Sequence, residues 1–143
     1  MSKPVLIQVV STQSYGEGST DRIEFTTEGT LHNREGNFYL VYREPKSTGI
    51  NGVTTSLKIE AATVTLNRMG AIDQKQVFEP GVRHKSAYVT HQGSFLFEVF
   101  TEDIVIDLTE QGGNITLKYN LFSDEQLVSH NLLRINIKGE APQ

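Results

Sequence analysis

Apolar residues at every second position are the dominant pattern of this chain. In "NITLKYNLF", Ile115, Leu117, Tyr119 and Leu121 alternate with Thr116, Lys118 and Asn120. In "LLRINIKG", Leu133, Ile135 and Ile137 alternate with Arg134, Asn136 and Lys138, and "RIEFTTEGTL" sets Ile23, Phe25, Thr27 and Leu31 against Glu24, Thr26 and Glu28. Successive side chains of a strand point to opposite faces, so each segment reads as a strand with one buried face. No long segment repeats apolar residues at helical spacing, which limits helix to a turn or two.

Turn residues cut the chain into strands with short links. "NREGN" (33–37) is a hairpin loop between strands at 22–32 and 37–44, "EAAT" is a short step, and Pro80-Gly81, Gln92-Gly93 and Gly112-Gly113-Asn114 are further turns. Only "PKSTGING" (45–52), a longer and mobile-looking loop, and 123–127 offer the length that a Greek-key crossover needs. An open sheet of about nine or ten strands would expose its edges, and closure removes them. The predicted fold is all-β: an antiparallel closed β-barrel of about nine or ten strands, forming a single domain over 1–143. Its inward residues should include Ile23, Phe25, Leu40, Leu57, Leu66, Phe97, Leu117, Tyr119 and Ile135.

Several chemistries find no footing. The net charge is −4 with the basic residues scattered singly, so neither nucleic acid nor membrane is an expected partner. The apolar runs fall far short of the ~20 residues that span a bilayer. "MSKPVLIQVVSTQS" is interrupted by Gln8 and reads as a first strand, which makes the cytoplasm the default location. The absence of cysteine excludes disulfides, thiolate metal sites and cysteine nucleophiles. His32, His84, His91 and His130 lack zinc-type spacing, and no metal or cofactor is expected. Glu98 and Glu102, or Asp103 and Asp107, stand four apart, about 13 Å along a strand. That is wider than the roughly 5–9.5 Å of glycosidase pairs, and they read as solvated faces. The glycines at 16–18 and 112–113 precede strands and serve turns rather than a phosphate loop.

The stretch from Asn67 to Phe95 is different. If Val64 and Leu66 point inward, so does Arg68. With Arg83, Lys85 and His91 outward, Val82, His84, Ser86, Tyr88 and Thr90 face inward, and Thr101 follows Phe95, Phe97 and Val99 on the next strand. This predicts a mostly apolar lumen with a polar strip of Arg68, His84, Tyr88, Thr90 and Thr101, the pattern of small barrels that hold one ligand. Two structural alternatives stand beside it. Arg68 can be a strut bound to backbone carbonyls, or a bulge at Gly70 can turn it outward.

Arg68-x-Gly70, Phe78-x-x-Gly81, Tyr88-x-Thr90-x-x-Gly93, Thr101 and the early "IEFTTEG" together resemble the YwiB-like family, small proteins mainly of Firmicute bacteria. The resemblance covers nearly the whole chain. It implies a calycin-type barrel, like those of lipocalins and streptavidin, and it carries over no catalytic residue.

Three functions follow from these readings. The first is a non-enzymatic barrel binding a small, partly apolar or anionic molecule, with charge from Arg68 and hydrogen bonds from Tyr88, Thr90 and Thr101. The second is an interaction protein whose barrel is filled by its own side chains and whose surface or loop 45–52 meets a protein partner. The third is an enzyme with Arg68 as electrophile and His84 or Tyr88 as acid/base.

Overall fold

The computed structural model describes residues 2–44 and 52–139. Ten strands follow one another: β1 (Ser2–Tyr15), β2 (Thr20–Arg34), β3 (Asn37–Arg43), β4 (Val53–Ile59), β5 (Val64–Gly70), β6 (Ile72–Phe78), β7 (Arg83–Thr90), β8 (Gly93–Thr109), β9 (Gly112–Ser123) and β10 (Gln126–Gly139). Each pairs antiparallel with its neighbours in sequence, and β1 pairs with β10 to close the barrel. Among the described residues no helix is long and apolar enough to cross a membrane. The loop expected over 45–52 lies, except for Gly52, outside the described residues.

The connection at 123–127, long enough for a crossover by its sequence, is a tight hairpin. Asp124 and Glu125 both take positive φ, 51° and 64°, and join Ser123 to Gln126. Paired positive φ values match the right-handed twist of the flanking strands, so the turn needs no further residues.

Alternation puts one face of each strand inside, and the register stacks these residues in hoops. Phe38, Ile59, Val64 and Phe78 are neighbours across β3 to β6. Leu40, Leu57, Leu66 and Gln76 form the next hoop. Together with Val5, Ile7, Val99, Ile115, Leu117, Ile135 and Ile137 these layers pack a buried core over one end of the barrel. Gly29 makes this packing fit. A Cβ there would stand 2.5 Å from both the Ile7 Cδ1 and the Val41 carbonyl oxygen.

β8 keeps its inner face by a change of phase. Phe95, Phe97, Val99 and Thr101 face in, and a register shift between Thr101 and Asp103 then moves the inward set to Ile104, Ile106 and Leu108. Such a bulge places two residues opposite one and exchanges the faces beyond it. Asp103 and Asp107 are left exposed, as expected of solvated faces, and Glu98 pairs with Arg83 at 3.7 Å.

Of the residues expected inside, Phe25, Leu40, Leu57, Leu66, Leu117, Tyr119 and Ile135 are buried. Ile23 and Phe97 point inward as expected but are not packed. Both line a cavity at the other end, where Ile23 is 45% exposed.

Candidate functional site

The cavity has a volume of about 480 Å³. It lies inside the barrel at the end where β1, β3, β5, β7 and β9 finish and β2, β4, β6, β8 and β10 begin. Its apolar wall comes from Val9, Phe25, Leu66, Phe97, Leu121 and Leu133, and Phe95, 54% exposed, stands at the rim with Ile23.

One hoop of the barrel brings Tyr42, Arg68, Gln74 and Tyr88 to the cavity, and Ser11, Gln13, Gln76 and Tyr119 add to its polar lining. Tyr42 pairs with Thr55, Thr55 with Arg68, Arg68 with Gln74, Gln74 with Tyr88 and Tyr88 with Phe95. Six consecutive strands thus bring one row of side chains to the same height. Glu44, two residues beyond Tyr42, also lines the cavity and is only 8% exposed. The Thr55 hydroxyl donates to its Oε2 at 2.5 Å. The Tyr42 phenol is held well above its usual value, first by burial and next by the Glu44 carboxylate, with the Arg68 guanidinium opposing. Burial likewise raises Tyr119, again opposed by Arg68. Both phenols therefore stay protonated donors at any physiological pH.

Arg68 is inside, and among the described residues its hydrogen bond goes to a side chain rather than to a backbone carbonyl. Its Nη1 donates to Gln74 Oε1 at 2.7 Å, and its Nε is buried without a hydrogen-bond partner. Among the described residues it binds no backbone carbonyl and makes no ion pair within 4.0 Å. Gly70 takes a φ of 128°, but the register runs unbroken from Val53–Gly70 to Ile59–Val64, so no bulge turns Arg68 outward.

Of the expected polar strip, Arg68 and Tyr88 share this hoop, while His84, Thr90 and Thr101 do not line the cavity. His84 Nε2 lies 3.0 Å from Glu79 Oε1 beyond the end of β6. Thr90 sits at the β7–β8 turn, where its hydroxyl donates to the Gly93 carbonyl and accepts the Gln92 amide. Thr101 is fully buried and its Oγ1 accepts the Glu79 amide at 3.2 Å, while its carbonyl accepts the Gly81 amide at 2.8 Å. Alternation fixes which face a residue takes. Its height along the barrel depends on strand stagger, which alternation does not encode. His84 stands four residues below Tyr88 on β7, and Thr90 stands two above it.

His84 and Thr101 have structural work at a weak seam. β6 and β7 share three residue pairs, from Ile72–Thr90 to Gln74–Tyr88. Past them Ser86 Oγ donates to the Lys75 carbonyl, and Thr101 ties down the 79–82 connection.

The sequence reading missed Tyr42, Glu44, Thr55, Gln74 and Gln76. All five were in phase with inward neighbours: Glu44 and Tyr42 with Leu40, Thr55 with Leu57, and both glutamines with Phe78. Among the described residues no group of His, Asp and Glu side chains is placed to hold a metal ion.

Residues 7–135 match the family model described as "Domain of unknown function (DUF1934)". The chain belongs to the DUF1934 family. Its relatives include the "Uncharacterized beta-barrel protein YwiB" of Bacillus subtilis (strain 168), 31% identical over 117 residues that make up 81% of each chain. The crystal structure of the ywiB protein from Bacillus subtilis superimposes with a TM-score of 0.87 at 25% identity, covering 98% of this chain and 94% of that one. The YwiB-like resemblance read from the sequence is thus correct, and the β-barrel is the fold shared with that relative.

Proposed function

We propose that the protein is a non-enzymatic cytoplasmic barrel of calycin type that holds one small, partly apolar molecule, with the ligand's anionic or acceptor end against Arg68. The observation that carries this reading is the buried, unpartnered Nε of Arg68 beside a largely apolar cavity. A guanidinium has five donors in a planar fork and stays charged, and burying such donors unpaired is costly. A bound carboxylate or phosphate relieves that cost with charge-assisted hydrogen bonds. The cavity's volume lies within the roughly 300–1,000 Å³ of small-molecule sites.

The rival readings have less behind them. A barrel filled by its own side chains has no use for this cavity. The enzyme reading keeps Tyr88 beside Arg68 but loses His84, which is engaged with Glu79 outside the cavity.

Thermal melting with decanoate, a ten-carbon anionic amphiphile, tests the proposal. At a hundredfold excess over Kd the melting temperature should rise by about 5–10 °C. Arg68→Met, which keeps much of the aliphatic bulk, should lose most of that rise. Equal shifts in the two proteins, or none in either, would overturn the assignment of Arg68.

A further inference from the structure

The cavity is lined by one arginine and one glutamate, and they do not neutralise each other. Glu44 is buried and accepts the Thr55 hydroxyl at 2.5 Å. Arg68 leans the other way along the hoop, toward Gln74. Among the described residues no ion pair within 4.0 Å joins the two. Both act on Tyr42, which places the phenol within the field of each. The polar side of the lumen is therefore a separated pair of opposite charges, with Tyr42 and Thr55 next to the acid and Gln74 and Tyr88 on the far side of the base.

An anionic head alone satisfies Arg68 but brings a second negative charge into the enclosure that holds Glu44. A cationic head alone does the reverse. In a poorly screened cavity each mismatch counts more than in water, and a ligand presenting both signs meets both walls. The guanidinium fork suits a carboxylate or phosphate oxygen pair, and a carboxylate that already receives one hydroxyl still has acceptor positions for an ammonium group.

We propose that the ligand of this cavity is a zwitterionic amphiphile: an apolar tail on a head that carries an anionic group for Arg68 and an ammonium group for Glu44. This rests on the reading of the lumen as a ligand site and adds the chemistry of the head. Glu44 becomes a specificity-determining residue, and the tail lies against Phe25, Leu66, Phe97, Leu121 and Leu133.

Three probes with comparable tails separate the two ideas by isothermal titration at pH 7: decanoate, decylamine and 2-aminodecanoate. The natural protein should bind 2-aminodecanoate at least about tenfold more tightly than either singly charged probe. Glu44→Gln, close in size, should abolish that advantage and leave decanoate binding as tight or tighter. Decanoate binding as well as the zwitterion, or an unchanged preference in Glu44→Gln, overturns the zwitterion proposal while leaving the reading of the lumen as a ligand site standing. Binding of none of the three overturns both. The comparison in the natural protein decides the matter even where Glu44→Gln does not fold.

Discussion

Arg68 and Tyr88 were legible in the sequence because each continues an alternation whose phase is set by unambiguous neighbours, Val64 and Leu66 for Arg68 and the charged Arg83 and Lys85 for Tyr88. His84, Thr90 and Thr101 were read into the same strip but do not line the cavity, because phase does not give height. Glu44 escaped because a charged residue beside a loop reads as solvated, although it is in step with Leu40 and Tyr42. The buried phenols of Tyr42 and Tyr119 carry a prediction that belongs to single residues. Both are raised by burial, so the unfolded chain loses these protons first as pH climbs past about 10. Their stabilising contribution is fully present below that pH and is lost above it, at about 1.4 kcal/mol per pH unit for each phenol. Urea midpoints measured from pH 8 to 11 should fall at the alkaline end, and Tyr119→Phe should lessen the slope. An identical slope in the variant would show that Tyr119 is solvated.

At the scale of strands and turns, the sequence conveys which segments pair and leaves the irregularities hidden. The bulge after Thr101 is one such case. "FLFEVFTEDIVIDL" shows odd apolar positions before it and even ones after it, yet alternation alone does not say which residue is the extra one. The Asp124-Glu125 turn is another, since two acidic residues rarely take the left-handed conformation they hold there. Glu125→Gly should gain about 0.5–1 kcal/mol, the relief of that strain less the added freedom of the unfolded chain. Glu125→Ala keeps the strain and should gain nothing, and chemical denaturation of both variants distinguishes the cases. The two ends of the barrel differ in the same measurable way. Phe78 is fully buried with its ring edge-on to Tyr119 at 4.8 Å, so Phe78→Ala should cost about 3–5 kcal/mol. Phe97 lines the open cavity, and Phe97→Ala should cost only about 1 kcal/mol. Equal losses would mean that the cavity is closed in solution.

The whole molecule is a barrel with a gradient along its axis. Its packed end, from Val5 and Ile7 across to Phe78 and Ile137, holds the fold together, and its other end spends an Arg, a Glu, a Ser, three glutamines and three tyrosines on a space that its own side chains leave open. Polar groups at that height cost stability unless something binds them, so the arrangement makes physical sense as a ligand site. The most direct test is a nuclear magnetic resonance titration of the methyl-labelled protein with 2-aminodecanoate. The account predicts saturable shifts at Leu66, Leu121 and Leu133, with Ile59, Val64 and Ile137 at the packed end unmoved. Shifts confined to outward residues such as Leu96 and Val105, or spread evenly over both ends, would contradict it.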